Sequence, residues 1–108
     1  YIITALDTDL NDVSKRTIFI PIEDFDEYLS ENFQSVFPLY QPQWNKIEPH
    51  FKDTTSNLFD LTTCQKIITQ LRQRTFTEEK VKTFVQKVIA DLEGKLLICA
   101  YIEVYGNM

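Results

Sequence analysis

Apolar residues recur at steps of three and four in three stretches of the chain, which is the spacing of one helix face. The three stripes are Ile22, Phe25, Leu29 and Phe33; Cys64, Ile67, Ile68 and Leu71; and Val81, Phe84, Val85, Val88, Ile89 and Leu92. The pattern therefore predicts helices over residues 22–33, 62–74 and 77–92, each with its stripe buried.

Capping residues place the start of each predicted helix. Pro21 suits the start of the first helix. Thr62, three residues before Gln65, gives a capping-box pattern for the second, and Thr77 is a favourable N-cap for the third. Each of the three helices is thus expected to begin at or next to one of these residues.

A short fourth helix is predicted around residues 42–47. Pro42 would lie near its start and Pro49 beyond its end. Trp44 would share a face with Ile47, and its large apolar ring predicts an anchor in the core.

Strand patterns are confined to the first part of the chain and to one ambiguous stretch near its end. Residues 1–6 and 16–22 are rich in β-branched and aromatic residues, while 7–12 and 52–57 have turn and loop composition. After Gly94, a strand over 96–105 is one reading, and continuation of the third helix to about residue 101 is the other.

Weighing these elements, the sequence predicts a predominantly α fold of three to four helices with a small N-terminal β element. The alternative is an α+β fold with a C-terminal strand over residues 96–105. With 108 residues, the chain is expected to form a single domain over 1–108. Cys64 and Cys99 fit no metal-ligand spacing and are interpreted as reduced core residues, with a disulfide as the alternative.

Charge is distributed unevenly along the chain. Residues 1–60 carry eleven acidic and four basic residues, a net charge of −7, whereas residues 61–108 carry five acidic and seven basic ones, a net charge of +2. An acidic surface repels phosphates, which argues against nucleic acid as a direct ligand and favours a basic protein partner. No signal-peptide pattern and no apolar run long enough for a membrane span is visible, so a soluble cytoplasmic protein is expected.

Residue types that support catalysis are sparse. The single histidine, His50, has no second metal ligand beside it, and no Ser/His/Asp or Cys/His set can be assembled. Gly94 and Gly106 are the two glycines, which excludes a glycine-rich phosphate loop. We therefore expect no enzymatic activity, no metal and no cofactor.

The candidate partner-binding residues lie on the first predicted helix, except for Asp53, which lies in the predicted loop 52–57. Glu23, Glu27 and Glu31 form a stripe at four-residue spacing, where like charges weaken the helix by a few tenths of a kcal/mol per pair. The stripe is either a solvated face or a docking surface for a basic partner. The residues predicted to contact that partner are Glu23, Asp24, Glu27, Tyr28, Glu31 and Asp53.

The segment "WNKIEPHFKDTTSNLFD" (44–60), the helices after it and the ending "YIEVYGNM" (101–108) resemble small bacterial immunity proteins. Such proteins accompany the toxins of contact-dependent growth inhibition and related polymorphic toxin systems. The resemblance lies in the order and texture of the segments and carries no functional residue over by motif.

This resemblance implies a non-enzymatic cytoplasmic protein that neutralises one cognate toxin domain, often a nuclease, in a tight one-to-one complex. The free protein would be a monomer that binds neither nucleic acid nor membrane. The resemblance also favours the reading in which the last helix runs to about Tyr101. The alternative function is a small acidic adaptor or regulatory module without toxin specificity.

Overall fold

The computed structural model describes residues 1–106, and within them the chain forms six strands and four helices. The strands are β1 (Ile2–Leu6), β2 (Ile18–Phe19), β3 (Leu39–Gln41), β4 (Lys46–Glu48), β5 (Ser56–Asp60) and β6 (Tyr101–Tyr105). The helices are α1 (Ile22–Tyr28), α2 (Ser30–Gln34), α3 (Leu61–Gln73) and α4 (Glu79–Leu96). Asn107 and Met108, which belong to the ending used in the resemblance, lie outside the described residues.

Four strands form an antiparallel sheet in the order β2-β1-β6-β5, and β3 pairs with β4 in a separate hairpin. The fold is therefore α+β, and the prediction of a predominantly α chain is wrong. The two central strands come from distant parts of the chain, with Thr4 opposite Glu103 and Ala5 opposite Ile102.

The error in the predicted fold class arises in the C-terminal segment. Helix α4 ends at Leu96, two residues after Gly94, and the chain turns before β6 begins at Tyr101. The predicted continuation of the helix to about Tyr101 is wrong, and the alternative strand over 96–105 is present only over its second half. Pairing decides the outcome, because β6 lies between β1 and β5 and pairs along its full length with both strands.

Helices α3 and α4 pack on one face of the sheet and confirm the apolar stripes predicted for them. Cys64, Ile67, Ile68 and Leu71 of α3 are buried, as are Val81, Val85, Val88, Ile89 and Leu92 of α4. Phe84 is the exception, since it is only partly buried. It lies at the margin of the core, where its ring centroid is 6.1 Å from that of Tyr28.

The helix starts differ from prediction by one or two residues. Asp60, rather than Thr62, is the N-cap of α3, and its Oδ1 accepts a 2.8 Å hydrogen bond from the backbone N–H of Thr63. Glu78, rather than Thr77, occupies the N-cap position of α4 and makes no capping bond with its side chain. Asp60 is favoured because it ends β5 in an extended conformation, which directs its carboxylate back to the helix.

The predicted helix over residues 42–47 is wrong, because this segment forms the turn of the β3–β4 hairpin. Trp44 N–H donates to the Gln41 carbonyl and Asn45 N–H to the Pro42 carbonyl. Asn45 has a positive φ of 51°, a conformation that asparagine tolerates better than most residues. The positive φ turns the chain back and brings Tyr40 opposite Ile47.

Candidate partner-binding site

The predicted helix over 22–33 is present but broken into two short helices at Leu29. Leu29 has φ −123° and ψ −32°, and its backbone N–H still donates to the Phe25 carbonyl at 2.9 Å. Phe25, Leu29 and Phe33 are all buried, so the apolar stripe keeps its contact with the core across the break. The acidic stripe is consequently shared between α1, which carries Glu23 and Glu27, and α2, which carries Glu31.

The three stripe glutamates are exposed. Among residues 1–106, none of the ion pairs involves an acid of α1 or α2. We call this surface the acidic face and define it as Glu23, Asp24, Asp26, Glu27, Glu31 and Asp53. Asp24 is only half-exposed, and the other five are exposed.

Tyr28, predicted as a contact residue, is half-buried, and its ring lies beside Phe76, between α3 and α4, and Phe84 of α4. Its ring lies 6.5 Å from Phe76 in an edge-on arrangement. Loss of solvent raises the pKa of the Tyr28 hydroxyl, and the charges of Glu27, Glu78 and Asp24 raise it further by smaller amounts. The Tyr28 ring thus packs α1 against α4, and Glu78 adds its negative charge beside the Tyr28 hydroxyl. Glu78 is 50 positions from Tyr28 in the sequence, so no local pattern could have indicated this role.

Arg74 anchors the C-terminal end of α1. One guanidinium nitrogen, Nη1, donates to the Tyr28 carbonyl and to Asn32 Oδ1, both at 2.6 Å. A cation at this end offsets the negative end of the helix dipole. Arg74 thus holds the acidic face against α3 through a carbonyl and an amide, without neutralising any of its glutamates.

Asp53 joins the acidic face from a different part of the chain. Burial raises the pKa of the Tyr1 hydroxyl to about 12, and the charges of Asp26 and Asp53 add to this effect. Both carboxylates therefore lie close enough to Tyr1 to act on the same hydroxyl. The ring of Phe51 stacks on Phe25 of α1 with centroids 5.6 Å apart, which places the segment before Asp53 on that helix.

Gly106 fixes the backbone beneath Asp53. Its N–H donates to the Thr55 carbonyl at 3.1 Å. A Cβ added at Gly106 would lie 2.0 Å from the Asp53 carbonyl oxygen, a distance that no side chain can occupy. This close approach, rather than an unusual backbone angle, is what requires glycine at this position.

The β3–β4 hairpin presents three large side chains to solvent. Tyr40 is 51%, Trp44 41% and Ile47 66% exposed. Trp44 is therefore not the core anchor that the sequence predicts. We call these three residues the hairpin patch; tyrosine and tryptophan are enriched at the centres of protein interfaces.

The hairpin is held to the sheet by Gln41, which is buried. Its Nε2 donates to the Leu58 carbonyl and its Oε1 accepts from the Leu58 N–H, both at 2.9 Å. The side-chain amide thus takes the place of a neighbouring strand along the open edge of β5. Gln43 adds a bond from its Nε2 to the Ser56 carbonyl at 3.3 Å.

Lys52 connects the hairpin patch to the acidic face. Its Nζ lies 5.0 Å from the centroid of the Trp44 ring and 3.2 Å from Glu48 Oε2, and Asp53 follows it in the chain. Burial alone would raise the pKa of Glu48, but the contacts and charges of Lys46 and Lys52 outweigh it and hold the pKa below its ordinary value of 4.5. The hairpin is therefore fixed by a buried carboxylate between two lysines.

The lowered pKa of Glu48 predicts a pH-dependent contribution to stability. A group with a lowered folded-state pKa stabilises the fold above its unfolded value of 4.5 and loses that contribution as pH falls through the folded value. We expect Glu48→Gln to destabilise the protein near pH 7, and the difference from wild type to shrink below about pH 4.5. Chemical unfolding at several pH values measures this, with exposed Glu79→Gln as the control. A difference that stays constant from pH 7 to pH 3 would contradict the assignment.

Groups that could support catalysis are dispersed. His50 is exposed. Burial raises the pKa of the Cys64 thiol to about 12, and the charges of Cys99 and Asp60 add smaller effects in the same direction, so this thiol stays protonated. Cys64 and Cys99 are both free thiols. Within residues 1–106, no group of three or more His, Cys, Asp or Glu side chains is arranged to hold a metal ion.

None of the four helices described within residues 1–106 has the length and apolar character needed to cross a bilayer.

Comparisons of the chain with protein-family models, with curated proteins and with solved structures found no match.

Proposed function

We propose that this chain is an immunity protein that binds a basic bacterial toxin domain, a nuclease, and neutralises it in a one-to-one complex in the cytoplasm. It acts by occupying a surface of the toxin and carries out no reaction itself. The observation that supports this proposal best is the acidic face, whose glutamates are exposed and form no ion pair within residues 1–106.

The charge of this surface suits a nuclease as the target. A nuclease cleft must attract phosphates and is therefore positive, and carboxylates can take the place of those phosphates. The acids come from α1, α2 and the loop at Asp53, so they form a surface rather than a single row. Such a surface speeds encounter with a basic partner and disfavours acidic ones.

The hairpin patch provides large aromatic and apolar side chains, which can contribute affinity that the charges of the acidic face do not. Interface affinity rests on a few buried anchors, most often Trp, Tyr and Arg, surrounded by polar contacts. Trp44 and Tyr40 are of this type, and the route through Lys52 to Asp53 places them beside the acidic face. In this arrangement the acids govern association and the hairpin patch governs dissociation.

The proposal predicts a toxin gene immediately upstream of the gene for this chain, and neutralisation is tested with the toxin domain that it encodes. The purified chain should abolish the toxin's nuclease activity at a one-to-one ratio, and its expression should protect cells that produce the toxin. Binding without protection would favour a small acidic adaptor. Absence of binding to that domain would contradict the proposal.

The acidic face predicts a charge-dependent association rate. Glu27→Lys combined with Glu31→Lys should slow association roughly tenfold or more at 0.01 M salt, where the Debye length is about 30 Å, and much less at 0.15 M. Folding stability should change by only a few tenths of a kcal/mol, because both side chains face water. Stopped-flow association with the toxin domain at the two ionic strengths measures the effect.

The matched control for that experiment is Asp9→Lys with Glu79→Lys, which changes the net charge equally at exposed sites outside the acidic face. A general effect of net charge would slow both double variants alike. If the Glu27/Glu31 variant associates as fast as wild type at low salt, the acidic face is a solvated surface only.

A further inference from the structure

A second candidate surface lies between β2 and the C-terminal half of α4. It is a groove of about 760 Å³. Apolar side chains that line it include Ile18, Phe19, Phe84, Val88, Leu97 and Ile98. Phe19 is 78% and Leu97 86% exposed, and large apolar side chains clustered at the surface mark interaction sites.

The groove runs beside an open strand edge. Strand β2 is the last strand of the sheet on this side. Tyr1 and Ile20 exchange two backbone hydrogen bonds, of 2.9 and 2.8 Å, so these two residues form a hydrogen-bonded pair. Because such pairs alternate along an antiparallel ladder, Phe19 directs its N–H and C=O away from β1.

The two edge strands of the sheet, β2 and β5, therefore differ in whether their outward backbone groups are hydrogen-bonded. The amide of Gln41 satisfies the Leu58 backbone at the β5 edge. At the β2 edge, no strand within residues 1–106 pairs with the outer side of Phe19. An uncovered edge is a template for pairing with another extended chain.

The charges around the groove are positive, although the whole chain carries −5. Lys15, Arg16 and Lys87 line the groove, and none of them forms an ion pair within residues 1–106. Lys95 also lines it, but Asp91 matches its charge at 2.6 Å. The unmatched charge is thus opposite in sign to that of the acidic face.

We propose that this groove binds an extended acidic peptide segment with alternating apolar side chains, which adds to the sheet as a strand along β2. Its backbone pairs with Phe19, its apolar side chains enter the groove, and its carboxylates meet Lys15, Arg16 and Lys87. The partner is chemically opposite to the basic toxin surface, so this site is independent of the proposed function.

The probe is a fluorescent peptide of about eight residues that alternates Glu with Val, a length typical of one strand. Binding is followed by anisotropy, and the site is mapped by amide chemical shifts of the isotope-labelled protein. We expect shifts at residues 15–20 and 94–98. Lys15→Glu with Arg16→Glu should weaken binding at least about tenfold, and Leu97→Ser by a similar factor. The matched control, Leu61→Ser, changes an exposed leucine that lies in neither the groove nor the hairpin patch and should leave binding unchanged.

Two peptide controls separate strand addition from other forms of binding. A peptide with Lys in place of Glu should not bind, and N-methylation at alternate residues should abolish binding because it removes the backbone donors that face β2. Equal binding of the Lys peptide, no effect of N-methylation, or shifts confined to other surfaces would overturn the proposal. Concentration-dependent dimerisation through β2 that excludes the peptide would also overturn it and assign the groove to a second copy.

Discussion

Phe59→Ala is expected to lower the free energy of unfolding by about 3–5 kcal/mol, the range for a buried phenylalanine whose removal leaves a cavity. Phe59 is fully buried at the end of β5. Its ring centroid lies 5.3 Å from that of Phe33 and 5.9 Å from that of Phe37, both edge-on, and 6.5 Å from that of Phe51. The ring therefore joins α2, the hairpin entry and the loop before β5, so the variant removes aromatic contacts to three segments.

Urea or guanidinium unfolding followed by circular dichroism measures this loss. Phe19→Ala is the matched control, because the 78% exposed ring of Phe19 should contribute within about 0.5 kcal/mol. Phe84→Ala should fall between the two, since its ring is partly buried. A loss below 1 kcal/mol for Phe59→Ala would mean that the aromatic cluster is not packed as described.

Gln41→Ala is expected to cost about 2–6 kcal/mol, which is large for a polar side chain. The variant leaves the N–H and the C=O of Leu58 without partners at a buried edge, and each unsatisfied group costs roughly 1–3 kcal/mol. It also releases the β3–β4 hairpin from the sheet. We therefore expect faster hydrogen exchange at the Leu58 amide. Binding to the proposed toxin should also weaken, because the hairpin patch is no longer held in place.

The control for Gln41→Ala is Gln86→Ala, which removes an exposed amide from α4 and should leave stability within about 0.5 kcal/mol. Unchanged exchange at Leu58, together with a loss below 0.5 kcal/mol, would show that water replaces the glutamine amide without penalty. That result would contradict the role of Gln41 as a substitute strand.

Helices α3 and α4 could be predicted from the sequence because their signal is local. Residues such as Ile67 and Leu71, or Val85 and Val88, repeat within one or two turns and are buried in the structure. Local composition also indicated strands at residues 1–6 and 16–22, where β1 and β2 form, but the pairing of the strands has no comparable local signal. Strand β6 forms because Ile102 meets Ala5 of β1 and Phe59 of β5, and no window of the sequence contains those partners.

The sequence also predicted that the glutamates of the acidic face are exposed, but it did not predict how that face is assembled from separate segments. The helical phase that buries Phe25 turns Glu23 and Glu27 toward water. The break at Leu29 and the position of Asp53, whose charge acts on the same Tyr1 hydroxyl as that of Asp26, depend on tertiary packing, so they left no pattern to detect. Trp44 was misplaced because its size favours burial, while the tight turn with Asn45 at positive φ holds it at the surface.

The pairing of β1 with β6 also has a consequence for synthesis in the cell. Thr4 and Glu103, which share a hydrogen bond, are separated by 99 positions. At bacterial or eukaryotic elongation speeds, roughly 5–20 s pass between their translation. Throughout that time β1 lacks its central neighbour, and its apolar side chains depend on chaperones or on transient burial. A ribosome that stalls before β6 therefore leaves a chain without the middle of its sheet, so resistance to the proposed toxin would begin only after that strand has emerged.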